Sequence, residues 1–303
     1  MRARWLPALW LLPLAAFGAE TAREQPVQAG ERLELRNYAG SVTVVRGDAS
    51  TLRVTVKHAD EDSVTIERVG STWLVVPSLW KRDSGEFAVQ LPHMGRVVVR
   101  DDDRPPRPAS FRVEVPAWMP VVVESPRANI EIDGGDAAVE VTAMLGDISV
   151  TGGRDRVHLR TMNGRIVLSG ASGRITAETT IHKITLRDCR GDIRVEATQG
   201  GIELVDLEVD SMKAQTLEGD LHFAGAVRPG ASWDLVSQAG DIELRLREPV
   251  DARFDLRAFQ GRVDFGFPTD STVAEDRVQA TVGRGQARIL AQTFRGRVVV
   301  APE

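Results

Sequence analysis

Glu203, His222 and Glu243 each stand one residue after the first aliphatic of a recurring phrase, behind Ile202, Leu221 and Ile242. If those phrases stack, a carboxylate, an imidazole and a second carboxylate meet on neighbouring strands, a set able to bind a metal ion or do acid–base work. The plainer reading is an exposed sheet bearing acids and one histidine that relieves like-charge crowding. It outweighs the first, because the sequence implies no pocket and the phrase spacing lengthens just here. The three residues therefore stand as a candidate surface cluster, with no catalytic, cofactor-binding or metal-ligating residue assigned.

Other reactive residue types give weaker patterns. Asp101, Asp102 and Asp103 could attract a cation, but consecutive carboxylates point in different directions, and the three prolines that follow by Pro108 mark an exposed loop. Calcium-binding β-rolls also count in nines, yet the position before each phrase here reads Asp147, Arg165, Lys183, Gly201, Asp220, Asp241, Arg262, and its cations would repel the ion. Cys189 is the sole cysteine, so no disulfide forms within the chain. Its positions 18 residues away are Gly153, Ala171 and Leu207 in alternate steps, a small apolar column that reads as a structural thiol. His158 and His182 fall at an outer strand position and a corner, with no second ligand in their columns. No Gly-x-Ser-x-Gly elbow, His-Glu-x-x-His or phosphate loop occurs.

The elements that would position these residues follow from one spacing. Steps of nine from Ile130 land on Val139, Ile148, Val157, Ile166, Ile175, Ile184, Ile193 and Ile202, and every residue two places further on is apolar. In a strand, residues i and i+2 share a face, so each pair points inward with one outward residue between. A glycine often precedes the pair by two places, as in Gly146-Asp147-Ile148 and Gly219-Asp220-Leu221, and suits a corner. Two such halves make a coil of about 18 residues, with like positions stacking about 4.8 Å apart. The expected fold is all-β, a parallel β-solenoid in which Ile130, Ile148, Ile166, Ile184 and Ile202 form one interior column and Val139, Val157, Ile175 and Ile193 the facing one. A β-sandwich has no reason to keep this register. Beyond Leu204 the step lengthens and phenylalanine enters at Phe223, Phe254 and Phe265, which predicts wider C-terminal coils. Charge and proline at Arg295, Arg297 and Pro302 suggest that Val298–Val300 is a protected open edge.

Ahead of the coils, Arg2 and Arg4 followed by the apolar run Trp5–Phe17 and small Gly18 and Ala19 read as a signal peptide over residues 1–19, too short for a comfortable membrane span. Residues 20–30 read as a flexible arm, 31–124 as an irregular β-rich part of the same body, and 125–303 as the regular repeats. Loss of the two arginines takes the formal charge from −5 to −7, which argues against nucleic acid as a partner. No later stretch is long and apolar enough to span a bilayer.

The step Val113-Glu114-Val115-Pro116, followed by repeated Gly-Asp-Ile-x-Val phrases, resembles a bacterial exported β-strand-repeat family of unknown function whose members often bear an adhesin label. That resemblance implies a parallel β-solenoid outside the cytoplasm and supplies no catalytic residues. The function expected is a non-enzymatic cell-envelope scaffold, periplasmic or at the cell surface, presenting flat sheet faces to a protein or glycan and needing no cofactor. The competing readings are a carbohydrate-active β-helix enzyme and a periplasmic envelope-stress or assembly partner.

Overall fold

A computed structural model describes residues 19–58, 64–77, 88–91, 95–98, 108–268 and 272–303. The expected leader and residues 101–107 of the expected loop lie outside them, Ala19 excepted. Among the described residues there is no helix, and 26 strands join into one continuous sheet that winds around a single apolar interior.

The period of nine is realised as expected. Along one wall Ile130, Ile148, Ile166, Ile184, Ile202 and Leu221 are in-register partners on successive parallel strands. Along the other the series is Val121, Val139, Val157, Ile175, Ile193, Met212 and Trp233. Every one of these side chains is at most 3% exposed. One coil alone cannot bury its two apolar edges, so the coils stabilise one another through stacking. The coil grows from 18 to 19 residues by a bulge that leaves Asp210 unpaired between Gly191↔Val209 and Asp192↔Ser211. Further on, Phe223 and Trp233, with ring centroids 4.4 Å apart, fill the wider interior.

The glycine ahead of each phrase is required by close approach. A Cβ on Gly164 would lie 1.9 Å from the Gly146 carbonyl oxygen, and one on Gly240 2.0 Å from that of Gly219. Coils meet backbone to backbone at this corner, which favours a residue without a side chain, although His182 takes the same place in one coil at φ 89°. The residue after the glycine explains the Gly-Asp phrase. Asp147 Oδ1 accepts the Arg165 amide at 2.8 Å, Asp220 Oδ1 the Asp241 amide at 2.8 Å, and Asp241 Oδ1 the Arg297 amide at 2.8 Å. Three residues before the corner position, a buried hydroxyl closes the corner from inside: Thr179 donates to the Gly164 carbonyl (3.1 Å), Thr216 to Gly200 (3.0 Å), Ser237 to Gly219 (3.1 Å) and Thr293 to Gly240 (2.8 Å). Polar groups at a tight corner are thus satisfied from both sides.

Three expectations need correction. Residues 20–30 are not a loose arm throughout, since Ala19–Pro26 is a strand paired antiparallel with Thr51–His58. The regular coils begin well before residue 125: Leu33 pairs with Val121 and Val42 with Ile130, so Arg32–Arg36 and Ala39–Arg46 already form a coil. Antiparallel strands then finish this end, Val64–Val69 on Thr72–Pro77 and Thr51–His58 on Ala109–Val115. Finally, Val298–Pro302 is no open edge. It lies between Ile242–Arg247 and Val263–Phe265, while Ala287–Arg295 lies between Ser232–Ala239 and Ala252–Gln260. The last coil in sequence is the penultimate coil in space, and Arg277–Val282 covers the edge beyond it in antiparallel fashion.

Candidate functional site

The winding places Glu203, His222 and Glu243 side by side on three successive strands, as their spacing implied. Their surroundings decide what they can do. Glu203 is held by Lys183 Nζ at 2.5 Å and Arg187 at 3.1 Å, and its carboxyl titrates below the usual range, chiefly through the Lys183 contact. Glu243 binds Arg245 at 2.7 Å and His222 Nδ1 at 3.2 Å. A carboxylate whose pKa is driven down by cations is a poor proton acceptor near neutrality. Among the described residues no three histidine, cysteine or acidic side chains converge as metal ligands. The arrangement can form ion pairs along an outer face, and the two carboxylates are committed to them.

The remaining residues singled out by type fall elsewhere. Cys189 is fully buried, its thiol donating to the Arg187 carbonyl at 3.2 Å, and burial pushes its pKa up. A buried, protonated thiol is inert. His158 lies in the outward column between Glu140 and Thr176, and His182 occupies the glycine corner at φ 89°.

A different feature is concave. A groove of about 590 Å³ crosses the outer side of the wall formed by Val139–Leu145, Arg156–Asn163, Ser172–Ile181, Arg190–Gln199 and Glu208–Glu218, and reaches Val236 and Gln238 on the next strand. Six strands at ladder spacing make it about 24 Å long. Thr161, Thr179 and Thr216 are buried between its two sides, just ahead of the corner. One side of the groove is lined by Arg160, Glu178, Glu196 and Gln215, the other by Met144, Met162, Thr180, Thr198 and Leu217.

Charge along the groove is balanced. Arg160 pairs with Glu178 at 3.1 Å, and Glu196 with Arg194 at 2.5 Å. The amides of Gln215 and Gln238 and the hydroxyl of Thr198 make no hydrogen bond among the described residues. Met162 is 52% and Leu217 42% exposed, and their column continues past Gln238 to Phe294 and Phe259, whose ring centroids are 6.1 Å apart. A row of large apolar groups beside uncommitted polar ones on a rigid ladder is the composition of a binding surface.

The groove is legible in a phrase that the aliphatic spacing overshadows. Thr161-Met162-Asn163-Gly164, Thr216-Leu217-Glu218-Gly219 and Thr293-Phe294-Arg295-Gly296 repeat a buried hydroxyl, an exposed bulky residue and the corner glycine.

Residues 190–301 match the family described as Toastrack DUF4097. That stretch begins at the strand before Ile202 and ends within the final coil. The resemblance first apparent in the Gly-Asp-Ile phrases is thus met by a match over the C-terminal coils. Three solved structures are similar over most of the chain. An adhesin-labelled protein of Parabacteroides distasonis shares 11% identity, covering 93% of this chain and 97% of its own at a TM-score of 0.44. One of Bacteroides fragilis with the same label shares 9%, covering 94% and 97% at 0.41. A cell-adhesion-labelled protein of Clostridium sporogenes shares 9%, covering 94% and 100% at 0.25. No curated protein matches the chain.

Proposed function

We propose that the protein is a non-enzymatic scaffold of the cell envelope, exported to the periplasm or the cell surface, that binds a protein or glycan partner along the groove on the wall of Val139, Val157 and Ile175. The observation that carries this reading is the groove itself: about 24 Å of concave surface, with exposed Met162 beside Arg160 and exposed Leu217 beside the free amide of Gln215, on strands locked by continuous ladders. Pre-organisation of this kind lowers the cost of binding. Flat faces, expected from the period alone, give way to one grooved wall. The paired carboxylates of the Glu203 cluster support a role without turnover.

Thr198→Trp fills the middle of the groove from an exposed position. Cosedimentation of the purified chain with isolated cell-envelope fractions should be lost in this variant and kept when Glu203 and Glu243 are both changed to Gln. Binding that survives Thr198→Trp, or polysaccharide turnover abolished by the double Gln variant, overturns the proposal. Fractionation with protease shaving of intact cells tests export; recovery in the cytoplasm would refute it.

A further inference from the structure

We infer that the occupant of the groove is one chain of an uncharged linear glycan, lying along the solenoid axis with about one sugar ring per coil. This rests on the binding role proposed above and names its ligand.

The first argument is periodicity. The groove crosses its strands instead of following them, so successive rungs present their lining residues about 4.8 Å apart, with side chains that change from rung to rung. An extended β-linked pyranose chain advances by nearly that distance per ring, so each ring lies over one rung, with alternate rings turned over. An extended peptide laid the same way repeats its side chains about every 6.6 Å and drifts out of step. Nor could it add as a strand, because the groove's strands are paired on both sides and offer no free edge.

The second argument is chemistry across the groove. A pyranose presents apolar C–H faces and a rim of hydroxyls. Met162 and Leu217 offer exposed apolar surface on one side, with the Thr198 hydroxyl between them, while Gln215 offers an amide donor and acceptor on the other. Phe294 and Phe259 extend the apolar side by two further coils. Charge selects the glycan class: the lining holds one arginine and two glutamates, in a chain of formal charge −5, so a polyanion gains nothing here.

Isothermal titration of the full chain with cellohexaose and chitohexaose tests the inference, with the matching di- and tetrasaccharides, an oligogalacturonate and an extended hexapeptide as comparisons. At least one hexasaccharide should bind, with affinity rising at each added pair of rings, and Thr198→Trp should weaken it by on the order of tenfold or more. Leu217→Ala should weaken it less and leave the melting temperature unchanged. Absence of binding by both hexasaccharides at millimolar concentration, affinity independent of length, or preference for the oligogalacturonate or the peptide overturns the glycan assignment. If groove-dependent binding to envelope fractions persists in that case, the scaffold reading stands and only the ligand was wrong. If wild-type envelope binding is absent as well, both fall.

Discussion

In the central coils each turn of chain lies on the turn before it; at the C-terminal end the last turn lies between two earlier ones. Ile148, Ile166, Ile184 and Ile202 stack in chain order. By contrast, Ile242 stacks on Val298, and Val298 on Val263. Both regions use the same corner: a glycine against a neighbouring carbonyl, an aspartate on the next amide and a hydroxyl behind. The difference shows that rung chemistry and rung order are separate properties. Local residues specify how a coil packs on any neighbour, and the loops decide which neighbour it meets. Placing Ala287–Arg295 and Val298–Pro302 between two coils gives these strands partners on both sides, and Arg277–Val282 pairs with the edge of Ala252–Gln260 beyond them.

Removing residues 287–303 should break this comparison most severely. In an ordered stack, loss of the last coil trims one end. Here it separates Ser232–Arg247 from Ala252–Phe265, so hydrogen exchange should show protection lost from Ser232 onward while Ile148–Val205 stays protected. Retained protection over Ala252–Gln260 would contradict the inserted position.

The shared corner predicts equal penalties in both regions. Gly164→Ala and Gly240→Ala each drive a methyl into backbone at about 2 Å, and each should cost more than about 3 kcal/mol in denaturant unfolding. Gly230 has a φ of 80° and no atom within 4 Å of a Cβ position, so Gly230→Ala should cost only about 1 kcal/mol. A smaller loss, about 1–2 kcal/mol, is expected for Thr179→Val in the centre and for Thr293→Val at the end, because each leaves a corner carbonyl without its buried hydroxyl donor.

The smallest effect is that of acid. The Arg165 guanidinium, bonded to Asp147, lowers that carboxyl below the ordinary range; burial opposes the charge on Asp241, but the Arg297 amide and guanidinium outweigh it and lower that one too. A depressed folded pKa contributes stability above the unfolded value of about 3.9 and loses it as pH falls through the folded value. Both ion pairs are partly exposed, so the contribution is modest. Melting temperature should fall between about pH 5 and pH 2, and less steeply in Asp147→Asn and Asp241→Asn alike. A steeper fall in either variant would contradict the assignment.

The fold was legible where chain neighbours are also spatial neighbours. Eight steps of nine from Ile130 revealed two interior columns because stacking repeats the same demand on each coil. The early coil at Leu33 and Val42 escaped notice since its partners, Val121 and Ile130, lie nearly ninety residues away, and periodicity reports only adjacent coils. For the same reason Val298–Pro302 read as an edge. The juxtaposition of Glu203, His222 and Glu243 followed from their phrases, but the cations that neutralise them stand at other positions: Lys183 and Arg187 one strand back, and Arg245 on the far side of Leu244. The groove was missed because its signal, a buried threonine three residues before the corner, lies outside the Ile-x-Val pattern.

The account depends most on coil order, which paired cysteines in a Cys189→Ala background test directly. Glu243, Val299 and Asp264 are outward, in-register residues with Val299 in the middle. Opposed positions on adjacent strands lie within disulfide range, whereas positions two strands apart, about 10 Å, do not. Glu243→Cys with Val299→Cys, and Val299→Cys with Asp264→Cys, should each form a disulfide within one chain under mild oxidation, while Glu243→Cys with Asp264→Cys should stay reduced. Ready oxidation of that last pair, with Val299→Cys failing to join Glu243→Cys, would mean that the coils stack in chain order and that the terminal strand is the open edge.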